Sequence, residues 1–224
     1  VNRLTAGEVR LADYQILAIP GGFTYGDDIA AGKILANELR FKLKEDLLEF
    51  IAAGKLIIGI CNGFQILVKS GLLPGNADFR QEASLIINDS AKFEDRWVHL
   101  KLGAKCVWTK GLPEVIYLPV AHGEGKFVVS DAAVLARIKK HGQIVFQYCD
   151  KFGKDAGYPL DPNGSVEHIA GICDQTGRIF GLMPHPERHV SALQHPRNDP
   201  GAGAAEGDGL QIFRNGVRFV QSHL

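Results

Sequence analysis

Net charge is missing from this chain. Its 25 Lys and Arg are balanced by 25 Asp and Glu, and the sequence pI is near 7.2. That balance argues against a dedicated nucleic-acid surface or a polybasic membrane patch. No apolar run approaches the roughly 18 residues of a membrane helix. No charged-then-apolar leader is visible, so a signal peptide is not expected. Cysteine is sparse, with Cys61, Cys106, Cys149 and Cys173 in 224 residues and no C-x-x-C pair. That is too few for a disulfide framework, and a reducing, cytoplasmic setting is the simpler expectation. Methionine occurs only at Met183, and the first residue is Val1. The expectation is therefore that N-terminal sequence precedes Val1.

Three ligand signatures are also missing. The phosphate loop G-x-x-x-x-G-K-[ST] occurs nowhere, and Gly123-Glu124-Gly125-Lys126 fails its spacing. Gly201-Ala202-Gly203 lacks the third glycine and preceding strand of a dinucleotide fingerprint. No H-E-x-x-H zinc pattern exists either. A zinc site built from His185, His189 and His195 would have the right spacing for its first pair, but no cysteine lies nearby. It is not favoured.

Apolar residues make up 46% of the chain, enough for a real core, and 26 glycines imply frequent turns. The length fits one domain of about 200–250 residues, and no linker stands out to divide it. Tyr14–Ile19 and Lys55–Ile60 read as buried strands. Residues 29–53 carry helical spacing and stop at Gly54, and Gly63–Leu73 reads as a helix. Such alternation predicts parallel strands with crossover helices. Further on, shorter strands are expected at Ser84–Ile87, Trp97–Leu102, Val115–Leu118, Lys126–Val129, Ile144–Cys149, His168–Cys173 and Arg178–Met183. The last pair should form a hairpin across Asp174–Gly177. Asp131–His141 reads as a helix capped by Asp131 or Ser130. Gly201–Gly209 reads as a flexible loop. Gly209–His223 reads as a closing helix with Asp208 as its candidate cap.

The sharpest chemical signal is Gly59-Ile60-Cys61-Asn62-Gly63. A nucleophile between a buried strand and a helix, with glycine two residues before and after, has the spacing of a nucleophile elbow. So tight a turn leaves no room for neighbouring side chains. A helix N-terminus beside the thiol favours thiolate, and the Asn62 N–H can stabilise an oxyanion. Without further support, Cys61 could equally be a buried thiol in a Gly-rich turn.

A cysteine nucleophile needs a base, and the base needs an orienting group. His185 follows an apolar strand in Gly-Leu-Met-Pro-His-Pro-Glu-Arg (181–188), the kind of strand end where open α/β sheets put their sites. Glu187 could hold its tautomer. Pro20-Gly21-Gly22-Phe23 also follows a strand, and its backbone N–H groups could supply a second oxyanion donor. Ala121-His122-Gly123-Glu124-Gly125 could line the same cleft or merely turn the chain. Lys92–Trp97 places charges beside aromatics, as a solvated strand edge also would.

Taken together, these segments resemble the class I (triad-type) glutamine amidotransferases. The shared segments are PGGFTYGDDIAAGKILA (20–36), GICNGFQILVKSGLLPG (59–75), KFEDRWV (92–98), PVAHGEGKFV (119–128), PNGS (162–165), IAGI (169–172) and GLMPHPER (181–188). They run across nearly the whole chain in one order. The YGD, AHGEG and GLMPHPER segments point to the branch that serves purine biosynthesis.

The resemblance implies an α/β fold: an open, mostly parallel, flavodoxin-like sheet flanked by helices, with additional antiparallel strands. It also implies an opening strand and helix ahead of Val1, with Val1–Leu4 as the end of a second strand. A Cys61–His185–Glu187 triad is implied, with glutamine hydrolysed through a Cys61 thioester. Backbone N–H groups of Gly22 or Phe23 and of Asn62 would form the oxyanion hole. Gln65 would touch the glutamine backbone, and His122, Gly123 and Glu124 would help to hold substrate. No cofactor is implied in this chain. ATP and Mg would belong to an ATP-dependent synthetase partner that receives the ammonia, with a small accessory subunit as a further partner. Neither nucleic acid nor membrane is an implied partner. Asp161 departs from the family, which more often has Asn before the proline.

Two other readings remain open on sequence alone. One is an amidotransferase that feeds a different synthetase. The other is a non-catalytic, redox-sensing α/β protein whose Cys61 is merely reactive.

Overall fold

In the computed structural model, the described residues are 1–22, 32–76, 78–104, 106–196 and 206–224. The order along the chain begins with α1 (Asn2–Thr5), β1 (Ile16–Ile19), α2 (Lys33–Phe41), α3 (Lys44–Ala52), β2 (Leu56–Ile60) and α4 (Asn62–Lys69). It continues through β3 (Ala83–Ile86), β4 (Glu94–Leu102), β5 (Val115–His122), β6 (Lys126–Val129) and α5 (Ala132–Lys140). It closes with β7 (Ile144–Cys149), β8 (Ile169–Cys173), β9 (Ile179–Leu182) and α6 (Leu210–His223).

A seven-stranded sheet has the order β1-β2-β9-β8-β7-β4-β5. Strands β1, β2 and β9 run parallel, with Ile19 opposite Gly59 and Gly59 opposite Gly181. The β9-β8-β7-β4-β5 part is antiparallel. A separate antiparallel pair joins β3 to β6. Helices flank the sheet, so the α/β class with additional antiparallel strands is as the sequence implies, but the parallel part is confined to β1, β2 and β9, and four of the six pairings in this sheet are antiparallel. The near-continuous apolar runs of β2, β8 and β9 are explained by burial at every position, as interior strands require.

Helix α4 is buried along its whole length. It packs on β1, β2 and β9 on one side and on β3 on the other. Phe64 stacks its ring on Phe127 of β6, with centroids 6.1 Å apart. This sandwiching fixes the helix that starts at Asn62, and with it Cys61. Gly54 ends the preceding helical segment with φ +78, a conformation glycine adopts freely. Asp131 caps α5 by accepting from the Val134 N–H at 3.0 Å.

Several boundaries differ from the sequence reading. Strands β4 and β5 are longer than expected because they pair with each other from Glu94↔His122 to Lys101↔Val115. Residues Asn2–Thr5 form one helical turn rather than the end of a strand. Asp208 does not cap α6, whose N-cap is Gly209 without a side-chain bond. Its carboxylate instead accepts from the Tyr117 N–H at 2.8 Å. Phe23, the rest of 23–31, and most of the expected 201–209 loop lie outside the described residues. Among the described residues, no helix is long and apolar enough to cross a membrane.

Candidate active site

The site lies where β1, β2 and β9 end. Cys61 follows β2 directly, at φ +53 and ψ −109. That backbone region is costly for a non-glycine residue and persists only where the surroundings enforce it. Here they do. The Cys61 N–H donates to Leu182 O at 2.8 Å, and its carbonyl accepts from Gln65 N–H at 3.1 Å. Both flanking glycines are sterically required. A Cβ on Gly59 would sit 2.5 Å from Gly63 O, and one on Gly63 would run into Ile19 O.

His185 comes from the segment after β9. Its backbone N–H donates to Pro119 O at 2.8 Å. Gly21, just after β1, is wedged between the two reactive groups. A Cβ there would lie 3.0 Å from His185 Cε1 and 3.1 Å from Cys61 Cβ. Glu187 Oε1 is 2.6 Å from His185 Nδ1. The carboxylate therefore takes the Nδ1–H and turns Nε2 inward. Nε2 is buried and has no partner of its own. Burial pulls the imidazole down, but the nearby Cys61 sulfur and the hydrogen bond and charge of Glu187 more than offset it, pushing it up to about 9. The raised value favours the protonated imidazole, which places a proton donor beside the Cys61 sulfur.

Around this pair the structure gathers Gly22, Asn62, Gln65, His122 and Glu124 among the expected residues, while Phe23 lies outside the described residues. The Asn62 N–H begins α4, where the first donors lack intrahelical acceptors. Its side chain donates to Gly22 O at 2.6 Å, which ties the turn after β1 to the start of α4. Gln65 Nε2 donates to Glu124 O at 2.7 Å. The Cys61 thiol lies 3.8 Å from Ala121 O. His122 is buried, its Nε2 also without a partner. Burial, and then the charge on His185, push its imidazole down to about 4. Gly123 is open on its Cβ side.

His189 and His195 take no part in this cluster. His189 Nδ1 bonds to Tyr117 O at 2.8 Å, and both rings pack on Trp97. Among the described residues, no group of three His, Cys, Asp or Glu side chains is placed to hold a metal ion.

Residues 1–220 match the model of the CobB/CobQ-like glutamine amidotransferase domain. The chain belongs to this family. The amidotransferase is 50% identical, over 224 residues, to phosphoribosylformylglycinamidine synthase subunit PurQ of Dehalococcoides mccartyi, covering 99% of this chain and 86% of that protein. It is 45% identical to the subunit of the same name from Methanococcus maripaludis, covering 98% and 85%. A solved structure, PurLQS from Thermotoga maritima, superposes with a TM-score of 0.71 at 33% identity, covering 95% of this chain and 83% of that one.

Sequence reasoning overlooked some residues of the amidotransferase site. In the sequence Gly21 stands out only as one of the backbone donors after a strand, not as the contact between Cys61 and His185, and nothing marks Asn88. Glu94 in the Lys92–Trp97 segment is no solvated edge. It is buried, accepts from Ser90 Oγ at 2.6 Å and is ion-paired with Arg96. Arg96 also stacks on Tyr158. Asp161, the departure from the family pattern, receives the Asn163 and Gly164 N–H groups at 3.1 and 3.0 Å and His168 Nδ1 at 2.7 Å.

Proposed function

We propose that this chain is the glutaminase subunit of a phosphoribosylformylglycinamidine synthase. It hydrolyses L-glutamine to glutamate and ammonia and delivers the ammonia to an ATP-dependent synthetase, which makes formylglycinamidine ribonucleotide for purine synthesis. The observation that carries the reading is Gly21 wedged between Cys61 and His185, with Glu187 bonded to the far side of the same imidazole at 2.6 Å.

In the proposed mechanism the Cys61 thiolate attacks the side-chain carbonyl carbon of glutamine. Charge gathers on the carbonyl oxygen and is held by the Asn62 N–H and by an N–H of Gly22 or Phe23. The tetrahedral adduct collapses, His185 gives its proton to the departing nitrogen, and ammonia leaves a γ-glutamyl thioester. His185, now neutral, takes a proton from water, and the hydroxide attacks the thioester. Collapse releases glutamate and restores the thiolate–imidazolium pair. Glu187 holds the imidazole tautomer throughout. Gln65, His122, Gly123 and Glu124 hold the substrate.

ATP and Mg belong to the synthetase in this reading, and a small accessory subunit completes the assembly. The chain itself carries no cofactor. Its four unpaired thiols suit a reducing, cytoplasmic setting.

Ammonia release from glutamine, measured with the synthetase present, tests the proposal. Wild type should release ammonia, and Cys61→Ala should release none while keeping its fold. Undiminished release by the folded variant would overturn the reading.

A further inference from the structure

The His122–Gly125 turn forms one wall of the glutaminase site, through Gln65 on Glu124 O and Cys61 beside Ala121 O. Asn163 Nδ2 holds the end of that turn by donating to Gly125 O at 2.8 Å, but most of the turn's bonds come from one other buried residue outside the site. Asn88, 2% exposed, lies between β3 and β4. Its Nδ2 donates to His122 O at 2.8 Å and to Lys92 O at 2.9 Å. Its Oδ1 accepts from Gly125 N–H at 2.9 Å and faces His122 Nδ1 at 3.2 Å. Its backbone N–H donates to Gly123 O at 3.0 Å. Two donors and two acceptor sites are all that a carboxamide has, and here every one is used.

This saturation settles the chemistry of the histidine. With Nδ2 on two carbonyls and Oδ1 taking the Gly125 N–H, the amide cannot be turned over. Oδ1 can only accept, so His122 Nδ1 must carry the proton. A neutral His122 then presents Nε2 as a bare lone pair. That nitrogen is buried and unpartnered, and its imidazole feels the charge on His185. Gly125 lies so close over the His122 ring that a Cβ there would collide with it, so the ring is closely packed where Asn88 holds its Nδ1. Burial and the His185 charge disfavour protonation, as does Arg96, while Glu94 favours it.

We propose that Asn88 is a positioning residue of the glutaminase site: its carboxamide fixes the His122–Gly125 turn and locks His122 in the Nδ1–H tautomer, so that Nε2 faces the glutamine N–H groups as an acceptor. The inference rests on the glutaminase reading for the substrate, but the tautomer lock does not depend on it. Asn88 does not touch substrate and acts through His122 and the turn. Partners that fix the tautomer of a metal-bound histidine cost about 10- to 100-fold in activity when removed, and a loss of that order is expected for Asn88.

Two measurements test this. The first is the ¹⁵N spectrum of the histidine rings in the wild-type chain, with His122 assigned through His122→Gln. His122 should show a protonated Nδ1 and an unprotonated Nε2 at neutral pH. An Nε2–H tautomer or an imidazolium would overturn the proposal without any need for an Asn88 variant to fold. The second is glutaminase kinetics of Asn88→Ala and Asn88→Asp beside the synthetase. Asn88→Ala should raise KM for glutamine about 10- to 100-fold, with a smaller effect on kcat. In Asn88→Asp the two Nδ2 bonds are lost and the carboxylate favours a proton on His122, so only the part of the loss that comes from His122 protonation should return as pH rises, and the profile should shift relative to wild type. Wild-type kinetic constants in folded Asn88→Ala, or an Asn88→Asp profile parallel to wild type, would overturn the proposal. Wild type that releases no ammonia would instead overturn the glutaminase reading.

Discussion

His185 is governed by opposing influences. Burial disfavours its charge, while Cys61 and Glu187 favour it and prevail, leaving the imidazole at about 9. The unfolded value is about 6.5, so the folded value is raised. The stability this contributes is complete below about pH 6.5 and is lost as pH rises through 9. Glu187→Gln keeps the hydrogen bond but removes the charge. Glutamine hydrolysis should fall by up to about 10⁴-fold, as for the orienting carboxylate of other triads, and the alkaline limb of its pH profile should move to lower pH. An alkaline limb that stays in place would show that Glu187 does not hold the imidazolium. The Cys61–His185–Glu187 juxtaposition was legible in the sequence because each member sits in a stiff local pattern: glycines around the cysteine, prolines around the histidine. Asn88 was not legible. An asparagine in a loop between two strands looks the same whether it faces water or saturates a buried turn 34 residues away.

At the scale of elements, the elbow depends on how closely α4 approaches β1. Ile19 O is strand backbone and cannot yield to a Cβ on Gly63. Gly63→Ala should therefore cost about 1–3 kcal/mol, the usual price of overpacking, seen as a lower denaturant midpoint. Gly123→Ala is the contrast. Space is open around Gly123 and its φ is not positive, so stability should be unchanged and any effect should fall on glutamine affinity. A neutral Gly63→Ala would contradict the steric account of the elbow. Elements with local signals were the readable ones. The Asp131 cap, the Gly54 stop and the Asp174–Gly177 hairpin all appear where their residues suggest. Strand lengths were less readable, since β4 and β5 extend as far as their mutual pairing allows. Asp208 looked like a helix cap, but the Tyr117 N–H competes for its carboxylate.

For the whole molecule, sheet order was the least legible feature. The α/β class follows from alternating patterns, but nothing local says that β9 inserts between β2 and β8. That insertion is what brings His185 to Cys61, 124 positions apart in the chain. Distant parts are also joined by buried charge. Glu82, just before β3, is 5% exposed and ion-paired with Arg137 of α5 and with Arg80. The hydrogen bond from Arg137, aided by Arg80 and Asn76 against the effect of burial, holds its carboxyl down at about 2. A lowered carboxylate contributes stability above its unfolded value of about 4.3, and that contribution is lost as pH falls toward 2. Wild type should lose stability across that window, and Glu82→Gln should start lower and fall less steeply there. Identical acid profiles from urea titrations would remove Glu82 from this role.

The central claim is that Cys61 is a nucleophile set in a glutamine pocket. Intact mass after incubation with a glutamine-mimicking diazoketone tests it most directly. Wild type should gain one adduct, and Cys61→Ala none. An adduct that persists in Cys61→Ala would contradict the account, as would an unmodified wild type whose Cys61 still reacts with a small alkylating agent.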